Sequence, residues 1–385
     1  MKKSLIWLVI LNTFFLSGCW SRVEINDRLF VSGFFVDKTD DGKLELTLSF
    51  PLPNRLTSMN LGGSSPSGNP YTTVTKSGNN LAEIYRRIQV DLPRRISWGH
   101  TKVVVVGKEM AKQGIEPILE FTVRDPTFNI RTSILVAPGK AKNIAHLTPV
   151  FERFPSEVVR EFTQKNNTLN TTVKDFVETE NGDMIVGLLT IGKEKMVSEK
   201  GKKGIWVGTG GMALFKGFKM VGRLNQRKGR GALWLRNRME NAGVTLPSPT
   251  DQKPISLMVL KSNTKIRPSK NQLYSFDILV DAEDDVLESD SDMNLTDPRL
   301  IRLLEKKAEK EIKGRITEAF RVSQRKKADV FQLGSYLSWY QPKVWKVAKK
   351  NWASIYKEKV RLNIHVHLHI KRPGSEKNPF WLKGK

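Results

Sequence analysis

Hydrophobic and polar positions alternate along the first part of the chain as β-strands require, with one amphipathic helix among them. Apolar, β-prone runs at residues 29–36 and 44–50 flank Asp41-Gly42. Because an Asp-Gly pair between such runs favours a tight turn, we expect a β-hairpin here. In residues 79–90 the apolar side chains recur every three or four positions, which predicts a helix.

A strand, a helix and a second strand follow in direct succession. Residues 101–107 contain an unbroken run of valines, residues 110–123 have helical spacing, and residues 129–136 return to a strand pattern. A connection of this kind joins parallel neighbours through a right-handed crossover. Both strands are therefore expected to lie inside a sheet.

The second half mixes hairpins with helices. A dip in hydrophobicity predicts a linker at residues 194–203, and Gly217 predicts the turn of a hairpin over residues 211–222. The elements expected next are a helix, two strands and an acidic tract, at residues 231–239, 255–266, 273–281 and 281–292 respectively.

A long amphipathic helix is predicted to begin at Asp297-Pro298, because aspartate is a favourable N-cap and proline fits the first turn. Its apolar stripe consists of Ile301, Leu304, Ala308, Ile312, Ile316 and Ala319. A last strand is predicted over residues 360–370.

These elements predict an α/β fold with mixed α+β sheets, in a protein of three domains. The expected parts are a signal peptide at residues 1–18, an N-terminal α/β domain at 19–195, a small middle domain at 205–252, and a C-terminal α/β domain with the long helix at 253–385. A chain of 385 residues is long enough for several hydrophobic cores.

The N-terminus has the features of a secretory signal peptide. Lys2 and Lys3 precede a short apolar stretch that closes with Leu-Ser-Gly-Cys at Cys19. A transmembrane anchor is the alternative. Residues 5–18, however, are interrupted by polar side chains and fall short of the roughly 20 apolar residues that a spanning helix needs.

Cys19 is the candidate lipidation site. Leu-Ser-Gly-Cys resembles the bacterial lipobox, in which the thiol is joined to a diacylglycerol and the chain is cut just before the cysteine. The expected product is an S-diacylglycerol and N-acyl cysteine (palmitate) at the mature N-terminus, and acyl chains in this number give stable anchoring. The alternative is a buried, inert cysteine in a signal-anchor helix.

The high positive net charge of the chain favours partners that carry negative charge. With 64 Lys and Arg against 39 Asp and Glu, the chain carries a formal charge of +25. Such a charge favours a membrane surface, a nucleic acid or an acidic polymer. The export signal argues against a nucleic acid. A single cysteine excludes an intrachain disulfide and a multi-cysteine metal site.

Three histidines are the only candidate metal ligands. His365, His367 and His369 alternate with aliphatic residues, so a strand would place all three on one face. Alternate residues lie about 6.5 to 7 Å apart, so two of them could share a metal ion but three would need a bend. The alternative, a half-buried strand with histidines on its solvent face, is favoured because no cysteine or carboxylate completes a site.

Sequence motifs for catalysis are missing. There is no G-x-x-x-x-G-K-[ST], no G-x-S-x-G and no H-E-x-x-H, and the Ser-x-x-Lys matches occur as expected by chance in a lysine-rich chain. We therefore predict a protein that is not an enzyme and has no catalytic residues, cofactor or metal.

A basic segment near the C-terminus is interleaved with aromatic residues. Lysines at residues 343–350 lie among Trp339, Tyr340, Trp345 and Trp352. These could form an interfacial recognition surface. The favoured alternative is an amphipathic helix surface with the tryptophans in the core.

The ordered series of these segments resembles the Ger(x)C lipoproteins of spore-forming Firmicutes, the C subunits of spore germinant receptors. The segments that carry the resemblance are the charged stretch after the cysteine, a glycine-bounded valine strand, an Arg-Asp pair and a hairpin. They lie at residues 19–27, 99–107, 124–125 and 211–222.

The resemblance implies a lipoprotein on the extracytoplasmic face of the spore inner membrane. There it would work with two integral membrane subunits, A and B, in nutrient sensing, receptor assembly and signalling. Of the family's functional residues, only the lipidated cysteine transfers, onto Cys19. The alternative is a solute-binding lipoprotein of a transporter, which should show two βαβ lobes, whereas only residues 101–136 show one clearly.

Overall fold

The computed structural model describes residues 24–56, 68–197 and 200–372, which form one large and one small β-sheet with helices packed on both. Cys19, the segment predicted as a signal peptide and the last residues of the chain, 373–385, lie outside the described residues. No helix in the described ranges combines the length and the apolar character that crossing a membrane requires.

The large sheet has eight strands in the order β10-β9-β8-β7-β6-β2-β3-β4, and a separate pair joins β1 to β5. The strands are β1 Arg28–Phe30, β2 Gly33–Lys38, β3 Leu44–Pro51, β4 Tyr71–Gly78, β5 Arg95–Ser97, β6 Val103–Val106, β7 Ser133–Val136, β8 Met184–Lys195, β9 Lys203–Lys216 and β10 Lys219–Leu224. Strands β2, β6, β7 and β8 run parallel and therefore begin at the same edge of the sheet, called here the N-terminal edge.

Short helices cover both faces of the large sheet. They are α1 Pro53–Leu56, α2 Leu81–Val90, α3 Lys108–Gln113, α4 Glu116–Arg124, α5 Lys142–Ala145, α6 Pro155–Gln164 and α7 Val173–Glu178. On one face Phe34 packs in a cluster with Ile84 of α2, and on the other face Phe35 packs in a cluster with Val159 of α6. Alternate residues of β2 thus enter two cores, as the alternation of a strand requires.

The second sheet has four strands in the order β11-β12-β13-β14. They are β11 Ala242–Pro247, β12 Pro254–Pro268, β13 Ser275–Ser289 and β14 Arg361–Arg372. The helices of this half are α8 Gln226–Leu235, α9 Pro298–Arg325, α10 Leu333–Tyr340, α11 Pro342–Ala348 and α12 Trp352–Glu358.

Most of the predicted local elements are confirmed. The hairpin at Asp41-Gly42 joins β2 to β3, and Gly42 has a φ of 83°. The strand, helix, strand unit is present with parallel strands β6 and β7, but its helix is broken into α3 and α4 at Gly114, whose φ is 135°. Helix α9 begins where predicted, with the Asp297 carboxylate accepting the N–H of Arg299.

The segment predicted as a linker and the acidic tract both contain strand residues. Residues 194–203 hold the turn of the β8–β9 hairpin and the ends of both strands, so they connect neighbours in one sheet and are no linker. The acidic tract begins inside β13, which continues to Ser289. Asp281 and Glu283 lie on the more exposed face of this strand, whereas Ala282, at 4% exposure, and Asp284 face the core.

Residues 205–252, predicted as a small middle domain, are divided between the two sheets. Strands β9 and β10 extend the large sheet from β8, while β11 is the first strand of the small sheet. Helix α8 lies between them, packed on α9 and β9. One continuous cluster of buried residues includes Ile185 of β8 and Ile278 of β13. The boundaries of independently folding domains stay a prediction.

Candidate functional site

The candidate residues from the sequence analysis do not all lie in the described part of the chain. Cys19 lies outside the described residues, so its modification stays a prediction. His365, His367 and His369 occupy the exposed face of β14 and the aliphatic residues between them are buried, as predicted. Within the described ranges no group of three His, Cys, Asp or Glu side chains could hold a metal ion. His369 Nδ1 lies 3.3 Å from Glu305 Oε1.

The aromatic residues of the basic segment are divided between core and surface. Trp352 is 5% exposed and stacks edge-on with Trp345 at a centroid distance of 5.3 Å, so these two follow the core interpretation. Trp339 and Tyr340 are 69% and 57% exposed, so they lie on the surface and not in the core. Lys343, Lys346 and Val347 of α11 are exposed as well, and these five exposed residues of α10 and α11 are called here the aromatic-lysine surface.

Next to this surface lies a junction between the two halves of the molecule, built on Asp183 and Asp329. Asp183 precedes β8, and its Oδ2 accepts the N–H of Asp329 at 2.8 Å. Its Oδ1 accepts the N–H of Gly217, in the β9–β10 turn, at 3.1 Å. The side-chain amide of Gln332 donates to the carbonyl oxygen of Asp183. One residue of the large sheet therefore holds two segments together.

Asp329 caps the helix that carries the exposed aromatics. Its carboxylate accepts the N–H groups of Leu333 at 2.9 Å and Gly334 at 2.7 Å, which open α10, and the indole N–H of Trp352 at 2.8 Å. Burial raises the pKa of Asp329 to about 6, although these three hydrogen bonds oppose the rise. Burial likewise raises the pKa of Asp183 above its ordinary value.

A cavity of about 220 Å³ opens at the junction and is lined by Glu178, Asp183, Asp329, Trp339 and Trp352 among others. The buried carboxylates in its wall accept hydrogen bonds from backbone N–H groups of the chain itself. These bonds connect the segment before β8 to the start of α10, the helix that carries Trp339 and Tyr340. The described contacts of both carboxylates are therefore structural.

Sequence reasoning missed both aspartates of the junction. Asp329 lies a few residues before α10, where a carboxylate can cap a helix, and this was the one available signal. Asp183 carries no local signal, because its partner Asp329 is 146 positions away.

Two family descriptions match the chain, one for each half. Residues 21–191 match the spore germination protein N-terminal domain. Residues 210–374 match the spore germination B3/GerAC-like C-terminal family. The first match ends within β8 and the second begins within β9, so together they include strands of both sheets.

Full-length relatives are similar over almost the whole chain. Spore germination protein KC of Bacillus subtilis is 25% identical, with 98% of this chain and 97% of the relative covered. The putative spore germination protein YfkR of the same organism is 27% identical, with 95% of each covered. The crystal structure of the GerBC protein superposes with a TM-score of 0.54 at 18% identity, over 88% of this chain and 97% of that one. The last likeness confirms the mixed α/β fold.

Proposed function

Because the chain belongs to the GerAC-like family of spore germination proteins, we propose that it is the lipid-anchored subunit of a spore germinant receptor. The observation that carries this proposal is the pair of family matches, at residues 21–191 and 210–374, which leave only short segments unmatched. The relatives are named for spore germination. On this basis the chain acts in the response of the spore to nutrients.

The anchor, the location and the partners are the finer part of the proposal. Cys19 tethers the chain to the outer face of the spore inner membrane, and two integral membrane subunits, A and B, complete the receptor. Two stretches of the chain at the same edge of the large sheet support the proposal that this edge faces the membrane. The chain enters β1 and β2 at the N-terminal edge of the large sheet, and residues 178–183, beside Trp339, lead into β8 at the same edge. Strands β2 and β8 are three sheet positions apart, or about 14 Å.

The proposed role is assembly and signalling without catalysis. It is supported by the use of Asp183 and Asp329, the buried carboxylates at the junction, as acceptors for backbone N–H groups. Tethering raises the effective concentration of the chain near its membrane partners, so a weak interface suffices for assembly.

The experiment compares spores of the native host that carry the wild-type gene, a deletion, Cys19→Ala or the matched control Ser21→Ala. Release of dipicolinic acid after each nutrient is measured, and the protein is followed by membrane fractionation. We expect the deletion to lose at least one nutrient response. Cys19→Ala should leave the membrane fraction and respond weakly, whereas Ser21→Ala should match the wild type.

Two outcomes contradict the proposal. If the deletion responds normally to every nutrient and the protein is found in vegetative membranes, the solute-binding lipoprotein becomes the better explanation. If Cys19→Ala stays in the membrane fraction, the lipid anchor is wrong even when the germination role holds.

A further inference from the structure

A second cavity, which shares no lining residue with the first, is lined by basic and neutral polar residues. It has a volume of about 240 Å³ and lies at the N-terminal edge, where β6 and β7 begin beside α6. Its basic side chains are His100, Lys102, Arg131 and Arg160, and none of its lining residues is acidic. A concave site with several cations and no carboxylate concentrates positive potential and favours an anion.

Among the described residues, these four side chains have no anionic partner. In the described ranges none of them makes an ion pair with a carboxylate. Some cations elsewhere in the described structure are paired, as Lys142 is with Glu45 at 2.9 Å and Arg227 with Glu311 at 3.1 Å. The charge of the cavity is therefore available to an external ligand.

The wall of the cavity supplies further donors and a fixed frame. Ser133 donates to Asn170 Oδ1 at 2.7 Å, which connects β7 to the segment before α7. Arg160 donates two hydrogen bonds to the side-chain oxygen of Gln164, through Nε at 3.1 Å and Nη2 at 2.7 Å, with the Gln164 amide oriented so that its oxygen faces Arg160. Thr101 is 5% exposed, and its hydroxyl is without a hydrogen-bond partner in the described structure. A spare donor in a cationic wall suits an oxygen-rich anion.

The cavity lies beside β1, the first strand of the described structure. The ring of His100 packs edge-on against Phe30 of β1, with centroids 4.6 Å apart. Arg28, which opens β1, is the register neighbour of Arg95 in β5, so more positive charge lies on this side. Arg28 lies nine positions after Cys19, a span of at most about 30 Å for a fully extended chain.

We propose that this cavity binds a phosphate group, and specifically the phosphodiester headgroup of an anionic phospholipid in the membrane to which the chain is anchored. Arginine and lysine donors bind phosphate oxygens through charge-assisted hydrogen bonds, and the planar guanidinium groups of Arg131 and Arg160 can do so in pairs. Phosphate binding follows from the cavity alone. The choice of a lipid headgroup over free phosphate rests on the proposed membrane anchor.

Titration of the soluble ligands tests the cavity first. The purified full chain in neutral detergent is titrated with glycerophosphoglycerol and with inorganic phosphate by calorimetry. The pocket variant is Arg131→Gln/Arg160→Gln, and the control is Lys306→Gln/Lys310→Gln, which makes the same charge change at exposed positions on α9. We expect the pocket variant to weaken binding about tenfold or more and the control to change it less than about twofold.

The second arm distinguishes the two sources of phosphate. The lipidated chain is placed in nanodiscs of phosphatidylcholine with or without phosphatidylglycerol, and hydrogen exchange is followed at residues 99–102 and 129–133. We expect phosphatidylglycerol to slow exchange there in the wild type and the control, and not in the pocket variant. Thermal unfolding of each variant checks that it is folded, and Lys102→Gln replaces a variant that is not.

Each contrary outcome rejects a different part of the proposal. Absence of binding by the wild type, or equal weakening in pocket variant and control, rejects the phosphate site. Binding of soluble phosphate without protection by phosphatidylglycerol rejects the lipid headgroup. A chain that fails to enter nanodiscs rejects the anchor at Cys19, while the titration in detergent still reports on the cavity.

Discussion

Asp284 is a carboxyl group on the core side of β13, where it has neither solvent nor a partner. It is 0% exposed, and neither side-chain oxygen accepts or donates a hydrogen bond in the described structure. It shares its face of the strand with Val280 and Ala282 and lies between Val259 and Ile370 of the neighbouring strands. Burial, assisted by the charge of Asp285, raises the pKa of Asp284 from 3.8 to about 7.

Replacing Asp284 by asparagine should change the dependence of stability on pH. In the folded wild type the carboxyl binds its proton below about pH 7, whereas the unfolded chain does so only near 3.8. The wild type therefore gains stability as the pH falls from 8 to 5, and the variant does not. We expect the stability difference between variant and wild type to shift by about 2 to 4 kcal/mol in favour of the wild type over this interval.

Urea unfolding at pH 8 and at pH 5 measures this shift. Asp281→Asn, exposed on the opposite face of the same strand, is the matched control and should differ from the wild type by about 0.5 kcal/mol or less at either pH. An equal difference for Asp284→Asn at both pH values would contradict the raised pKa.

At the scale of elements, helices α8 and α9 pack so closely that one glycine decides their distance. A Cβ atom at Gly231 of α8 would overlap the carbonyl oxygen of Arg315 of α9. Gly314 is the neighbour of Arg315 on α9, yet a Cβ there would meet nothing within 4 Å. Gly231 thus permits the close approach of the two helices, whereas Gly314 has open space where its side chain would be.

We expect Gly231→Ala to lower the free energy of unfolding by about 1 to 3 kcal/mol, because the helices must move apart. Gly314→Ala should raise it by about 0.5 to 1 kcal/mol, because alanine loses less backbone entropy in a helix than glycine does. Denaturant midpoints of the two variants check both signs. A stabilised Gly231→Ala variant would show that the close approach is not maintained in solution.

At the scale of the whole molecule, Asp183 connects the large sheet to the helices of the second half. Its carboxylate accepts the N–H of Gly217, in the β9–β10 turn of the large sheet, and the N–H of Asp329, just before α10. The buried cluster that includes Ile185 of the first half and Ile278 of the second half is continuous. Both features couple the unfolding of one half to that of the other.

We therefore expect a single calorimetric transition for the wild type. Asp183→Ala leaves two backbone N–H groups without their acceptor and should cost about 1 to 3 kcal/mol, with faster proteolysis around residues 327–332. Asp40→Ala, whose side chain is 99% exposed, is the control and should change stability little. Two separate transitions in the wild type would contradict the coupling and favour independently folding domains.

Local elements followed from the sequence because their causes lie within a few residues. A tight turn needs a residue such as Gly42 with positive φ, and the start of α9 needs an acceptor such as Asp297 for free N–H groups. The linker expected at residues 194–203 was wrong because a polar hairpin turn and a polar linker have the same composition.

The sequence by itself determined the strands, the helices, the basic charge and the family resemblance. Only the tertiary structure decided that β9 and β10 extend the large sheet, that Asp183 meets Asp329, and that Lys102, Arg131 and Arg160 surround one cavity. The physical reason is separation along the chain. Pairing of distant strands and contact between distant side chains depend on register and packing throughout the fold, which no local pattern of residues specifies.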